Sequence, residues 1–319
     1  MPEVERHRDE IAARVAAAVG RPVKIGRIEA GWLGLRPQIS LADVRIYDAE
    51  GREALRLPSV ENILAWRSLL YRDLRLHSVV IDGPKLTVRR DAHGALEVAG
   101  IRLAGVGDGG FAKWLLEQGD VAIRNAQIEW RDESRGAPPL ALSDVNLHLR
   151  NGPARHALGL TAQLPADLGE RLELRADLSG EAIAGAGAWQ GRVYAELGHA
   201  DLAAWRAWVD LPAGLVRGVG ALRLWTTIEN GTVRAVTADV AVADVAAQLD
   251  PGLAALELRS LRGRLQVRSL GDGYQITGRQ LALAPLEGAA LGPVDFQLVW
   301  HASGGTLSAN AIDLAPLAR

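Results

Sequence analysis

Few residues in this chain have the types and spacing that chemistry needs. Residues 105–110 match the phosphate-binding pattern G-x-G-x-x-G and precede a short predicted helix. A dinucleotide site of this kind needs a parallel βαβ unit, with an acidic residue about 20 positions further on. Glu129 stands near that distance, but it lies inside a repeated strand unit. We therefore interpret residues 105–110 as a loop.

The other titratable residues do not combine into a recognisable catalytic or metal-binding pattern. Asp132 and Glu133 could form a catalytic carboxylate pair, although the end of a strand and its turn is the interpretation we favour. No two histidines have the close spacing of a zinc motif; they are His7, His77, His93, His148, His156, His199 and His301. No G-x-S-x-G or P-loop sequence occurs. We expect no catalysis, no metal and no cofactor.

Composition narrows the functional classes further. The chain has 319 residues and a net charge of −2, which argues against nucleic acid as a partner. It has no cysteine, so disulfides and thiolate chemistry are excluded. No apolar run approaches the roughly 18 residues of a membrane span. The first residues also lack the basic start and apolar core of a signal peptide.

The elements that would position any site begin with a repeat. Residues 79–91 predict two short strands folded about a corner at Gly83 and Pro84, and residues 121–133 repeat the pattern 42 positions later. Asn125 takes the place of Gly83, which fits a backbone that needs positive φ there. A second segment, residues 39–46, recurs at residues 140–147. Repeated strand units predict an array of antiparallel strands.

Period-two alternation of apolar and polar residues continues through most of the chain and predicts strands with one apolar face. We expect that face to be the binding surface. Its predicted residues are Val79, Ile81, Leu86, Val88, Val121, Ile123, Ile128, Trp130, Leu147, Leu149, Leu158, Leu160, Leu172, Leu174, Val193, Leu222, Leu224, Val240, Leu265, Val267 and Leu298. Which alternation phase faces inward stays open where a corner can reset the register.

Helices are too few to cover such a sheet. We predict a helix over residues 3–19, in an N-terminal region 1–20 that caps one end or lies near a membrane, and short helices at 111–118 and 202–209. The strands must therefore split into two facing sheets or curl into an open apolar groove, which a ligand such as an acyl chain would fill. We expect the mainly β groove, as one domain over residues 21–319. Eight tryptophans either line that path or pack in a core: Trp66, Trp114, Trp130, Trp189, Trp205, Trp208, Trp225 and Trp300.

Several motifs resemble the opening of AsmA-like proteins, most closely the YhdP type. They are GRPV at 20–23, GW at 31–32, SLADV at 40–44, VVIDGPKL at 79–86, WLLEQG at 114–119, IEWRDE at 128–133, PLALSDV at 139–145 and DLAAW at 201–205. The motifs are structural, and together they extend over most of the chain. The chain departs from the family's pattern in lacking the N-terminal membrane anchor and in being much shorter, so it resembles an N-terminal segment.

The resemblance implies a long β-groove protein of the Gram-negative cell envelope. It implies phospholipid as the bound partner, transport between the inner and outer membranes, and a periplasmic location with an inner-membrane anchor in the full-length protein. Envelope proteins are possible further partners. The alternative, from a different functional class, is a structural or interaction scaffold with a closed β-sandwich core, which binds an envelope protein by strand addition.

Overall fold

The computed structural model describes residues 8–33, 36–48, 51–64, 76–98, 101–102, 116, 118–180, 189–210, 214–248, 252 and 255–310. The loop at 105–110, almost all of the predicted helix at 111–118, and Trp66 and Trp114 lie outside these residues. The described chain is mainly β, as predicted. It divides into two compact units, the first comprising residues 1–163 and 179–184 and the second residues 164–178 and 185–319. A single groove domain over 21–319 stays a prediction.

The first unit begins with one helix, α1 (Arg8–Val19), inside the predicted range. Gly20 ends it, with φ of 71°, and its N–H donates to the Ala16 carbonyl oxygen at 2.8 Å. Ile11 and Ala12 pack against the buried core of the unit. The helix therefore covers part of the apolar face with its own apolar stripe. No helix in the described ranges is long and apolar enough to cross a membrane.

Ten strands follow in the first unit. They are β1 (Val23–Leu33), β2 (Arg36–Tyr47), β3 (Glu53–Leu64), β4 (Leu76–Asp82), β5 (Lys85–Arg90), β6 (Leu96–Val98), β7 (Ile101–Arg102), β8 (Asp120–Asp132), β9 (Leu140–Asn151) and β10 (Arg155–Gln163). The pairs β1–β2, β2–β3, β3–β4, β8–β9 and β9–β10 are antiparallel. The strands of this unit thus form one continuous ladder, not two facing sheets.

The predicted corner at Gly83 and Pro84 does not fold back into a hairpin. Strands β4 and β5 run on in one direction, and both pair with β8 in parallel. Val79 pairs with Val121 and Leu86 with Ile128, which is the 42-residue spacing of the sequence repeat. The two copies therefore lie side by side in register, and the prediction of antiparallel pairing is wrong for them. A Gly-Pro pair suits a bulge as well as a turn, because each of these structures can need a residue, here the glycine, with positive φ.

Bulge residues with positive φ keep the apolar residues on one face. Gly83 and Asn125 have φ of 65° and 53°, which confirms the prediction at the corner, and Asp43 and Asp144 have φ of 53° and 47°. At each of them the inward phase changes from odd to even or the reverse, although the pairing register continues unchanged across Asp43 and Gly83. In β2, for example, the inward residues change from Leu41 to Val44. The positive-φ residues therefore determine which alternation phase faces inward on either side of each corner.

We expect Asp144→Val to destabilise the first unit, because a β-branched residue in this conformation costs about 1–3 kcal/mol. Asp144→Gly should leave stability nearly unchanged, since glycine accepts positive φ freely and the Asp144 side chain is exposed. Urea denaturation midpoints of the two variants measure the difference. Equal losses in both would mean that the side chain, and not the backbone conformation, is required.

The second unit holds the remaining strands. They are β11 (Arg171–Ser179, its last residue in the first unit), β12 (Gln190–Asp201), β13 (Leu215–Glu229), β14 (Thr232–Ala247), β15 (Leu256–Ser269), β16 (Gly273–Pro285), β17 (Leu291–His301) and β18 (Gly304–Ala309). From β12 to β18 each strand pairs antiparallel with the next, as predicted. Asp244 and Gln280 supply positive-φ bulges here, at 49° and 51°.

A single 3₁₀ turn, Ala204–Ala207, stands where the helix at 202–209 was predicted. The Asp201 carboxylate begins it by accepting the N–H groups of Ala203 at 3.0 Å and Ala204 at 3.2 Å. Trp205 is buried, and its indole N–H donates to the Leu168 carbonyl oxygen at 3.1 Å. The turn therefore closes the end of the second unit at which β12 ends and β13 begins.

Candidate functional site: the apolar faces of the two units

In the first unit, two apolar ladders cross seven strand positions, with the collinear β4 and β5 counted as one. One runs through Ile28, Leu41, Val60, Ile81, Ile123, Leu147 and Leu160, and the other through Ala30, Ile39, Asn62, Val79, Val121, Leu149 and Leu158. Asn62 is the polar member of the second ladder and is buried. The strand register brings eight of the predicted residues into these two rows. Past the bulges, two shorter rows continue the same face, with Leu86, Ile128 and Leu142 in one and Val88, Trp130 and Leu140 in the other.

Burial in the first unit is deepest at the bulges. Ala126 and Val145 have no exposed surface, and Ala162 packs with them. A larger core joins β1 to β4 through Ile28, Leu41, Val60, Val79 and their neighbours. Ile81, Ile123, Ile128, Leu147 and Leu160 are only half-buried. The face is therefore packed at its centre and keeps accessible apolar surface beside it.

In the second unit the apolar face is more open. Three rows cross it: Val193, Thr226, Val236, Val267, Ile276, Leu298 and Leu307; Ala195, Leu224, Ala238, Leu265, Gly278, Phe296 and Ala309; and Leu197, Leu222, Val240 and Gly263. All seven residues predicted on β12 to β17 lie on this face. Six are half-buried and Val267 is 45% exposed. Leu172 and Leu174, on β11, are half-buried as well.

The alternation pattern in the sequence predicts only about half of the residues on these faces. Ile28, Leu41 and Val60 belong to one of the first unit's two seven-residue rows, and Ile276 and Phe296 belong to rows of the second unit. It also missed a third copy of the bulge motif, VADV at 242–245, which repeats LADV at 41–44. In both, the valine after the positive-φ aspartate is buried. That motif was the signal that could have located this part of the face.

Trp225 lies on the opposite face, because it pairs with Tyr194 and Thr237 and not with the apolar row. The rings of Tyr194 and Trp225 are 5.4 Å apart, and the Arg264 guanidinium stands 5.5 Å from the Trp225 ring centre. The Glu196 carboxylate accepts from the Tyr194 hydroxyl at 2.5 Å and from Arg223 Nε at 2.9 Å. These two contacts, Tyr194 first, lower the pKa of Glu196. Around Trp225, the outer face thus carries a network of paired charged and aromatic side chains.

Asp132 and Glu133 stand where β8 ends and a turn begins, as the favoured interpretation predicted. Burial alone would raise the pKa of the Asp132 carboxyl. The Ser134 hydroxyl, which donates to Asp132 at 2.6 Å, and the Arg90 charge at 3.4 Å outweigh that effect, so the pKa is lowered. Glu133 forms an ion pair with Arg89 at 2.7 Å. Both carboxylates therefore hold the end of the parallel pair β5–β8.

The described histidines each occupy separate positions. The imidazoles of His148 and His301 contact Asp120 and Asp272, at 2.8 Å and 3.1 Å. His156 is buried beside Asn151, at 2.7 Å, and burial lowers the pKa of its imidazole. Within the described ranges, no three His, Cys, Asp or Glu side chains are placed to hold a metal ion.

A family model described as "YhdP protein" matches the whole chain, residues 1–319. No curated protein and no solved structure matches it.

Proposed function

Because the chain belongs to the YhdP family, as its resemblance to AsmA-like proteins predicted, we propose that its apolar faces bind and conduct the acyl chains of phospholipids. The family's association with envelope lipid transport supports this function. The chain contributes no chemical step in this proposal. Its residues act by dispersion contacts and by excluding water from the acyl chains.

The observation that carries the proposal is the continuity of the apolar rows. In the second unit, the row from Val193 to Leu307 passes from strand to strand without a charged residue. Val267, inside the row, is 45% exposed, and the other members from Val193 to Leu298 are half-buried. Exposed apolar surface that extends over many strands is costly in water unless something covers it. A flexible acyl chain suits such a row because it needs no directional contacts.

The biological setting belongs to the same proposal. We place the chain in the periplasm, as part of a protein anchored in the inner membrane, where it receives phospholipid bound for the outer membrane. Other envelope proteins are proposed partners of the full-length protein. A net charge of −2 gives no general attraction for nucleic acid or anionic membrane surfaces, in agreement with contact through the apolar face.

Photo-crosslinking with neighbouring residues on opposite faces tests the proposal. Benzophenone side chains at Leu265 and Ile128 would face the apolar rows. Matched probes at Gln266, which donates to Thr237 at 3.2 Å, and at the exposed Gln127 would face outward. We expect phospholipid adducts at Leu265 and Ile128 only. Native mass spectrometry of the gently purified protein should also show bound phospholipid.

Two outcomes would overturn the proposal. Equal capture at all four positions would mean non-specific adhesion of lipid. No adduct at any position, together with no lipid in native mass spectrometry, would favour the scaffold function. In that case the apolar rows would serve only as the packing surface of a structural protein.

A further inference from the structure

The apolar face of the second unit is mostly buried at one end of its strands, although Leu256, the first residue of β15, is 38% exposed there. That end holds the last residues of β12 and β14 and the first residues of β13 and β15. Trp205, Val245 and Leu258 are 8%, 5% and 5% exposed, and Ala200 has no exposed surface. The 3₁₀ turn at Ala204–Ala207 and the carbonyl of Leu168 fix Trp205 in place.

The opposite end of the same strands is open. It holds Val233, Val267, Tyr274, Trp300 and Leu307, which are 55%, 45%, 42%, 47% and 58% exposed. Tyr274 and Trp300 pair directly across β16 and β17, and Trp300 also pairs with Gly305 of β18. We call Tyr274 and Trp300 the aromatic rim. Beyond it the hairpin turns carry charged residues, among them Asp272, whose carboxylate contacts His301 at 3.1 Å.

Polarity along the strands thus changes from a dry apolar end to an aromatic rim and then to charged turns. Tyrosine and tryptophan favour such boundaries because each has an apolar ring and one polar group. On β15 the accessible part of the face runs from Leu261 to Val267, which spans about 20 Å at the rise of a strand. One leaflet's acyl chains span about 15 Å, half of a hydrocarbon core of about 30 Å. The accessible length therefore accommodates one extended acyl chain.

We propose that phospholipid bound to the second unit has a fixed polarity: its acyl chains lie along the strands, with the glycerol and headgroup at the aromatic rim and the chain ends toward Leu258. This inference rests on the proposed function. It names the residues that set the lipid's orientation. It also predicts that the headgroups project from the protein at one end of the strands. The charged turns beyond the rim stay available to water and to the headgroup.

Tryptophan quenching by brominated lipid tests the polarity. The full chain would be loaded from vesicles of phosphatidylcholine brominated either near the glycerol or near the chain end. With bromine near the glycerol, we expect Trp300→Phe to remove at least twofold more of the quenched signal than Trp225→Phe, whose ring lies on the outer face. With bromine near the chain end, Trp300→Phe should change the quenched signal little.

A second variant gives the opposite expectation. Leu261→Trp in the Trp300→Phe background places an indole toward the closed end, where bromine near the chain end should quench it more strongly than bromine near the glycerol. Stronger quenching of Trp300 by the chain-end label, or equal quenching by both labels, would overturn the polarity while leaving lipid binding intact. Absence of quenching with either lipid in all variants would instead count against the proposed function.

Discussion

Replacing Val145 with aspartate is expected to unfold the first unit. Val145 has no exposed surface and packs with Ala126 and Ala162, at the point where the bulges of β8 and β9 meet. A carboxylate there would have neither water nor a cation, and burying such a group costs several kcal/mol. Domains are stable by only about 5–15 kcal/mol. We therefore expect most of the unit's stability to be lost.

Ser143→Asp provides the matched control, because Ser143 is exposed on the other face of the same strand. Its effect should stay within about half a kcal/mol, as for most surface substitutions. Urea denaturation followed by circular dichroism measures both variants, and hydrogen exchange localises the change to the first unit. Similar stability of the two variants would contradict a packed core at the bulges.

Alternation in the sequence placed its predicted residues on common faces, but the direction assigned to one strand was wrong. Alternation such as Val79, Ile81, Leu86 and Val88 is the same for parallel and antiparallel strands, so it places residues on a face without giving direction. The repeat did contain the register, since Val79 and Val121 are both repeat partners and pairing partners. Gly83 and Pro84 were interpreted as a turn because their composition suits turns and bulges alike.

The difference between packed and accessible parts of the face could not be predicted from alternation. Val145 and Leu224 belong to similar apolar patterns, yet the first is fully buried and the second half-buried. Burial depends on which distant segments cover each residue, such as α1 over the core of the first unit. The closed end of the second unit likewise depends on a contact between Leu168 and Trp205, which are 37 residues apart. Neither contact leaves a periodic signal in the sequence.

Replacing Leu224 with aspartate is expected to remove lipid from the second unit while leaving the strands folded. Leu224 stands in the middle of an apolar row, between Ala195 and Ala238. It is half-buried, so a carboxylate there can keep contact with water when no lipid is bound. Acyl chains would have to cover that carboxylate, at a cost of about 3 kcal/mol by comparison with aspartate at the centre of a membrane. Because part of this cost is relieved by water, we expect affinity to fall about tenfold to a hundredfold.

Thr227→Asp is the control on the same strand, since Thr227 pairs with Arg192 on the outer face, where a new carboxylate gains an opposite charge. It should bind phospholipid as the unmodified chain does. Native mass spectrometry measures lipid occupancy, and circular dichroism confirms that both variants keep their strands. If Leu224→Asp kept full occupancy, the acyl chains could not lie over this row. If Leu224→Asp unfolded the second unit while Thr227→Asp did not, the row would be a closed core and not a groove. An introduced carboxylate is that destabilising only where it is sealed from water in the lipid-free protein.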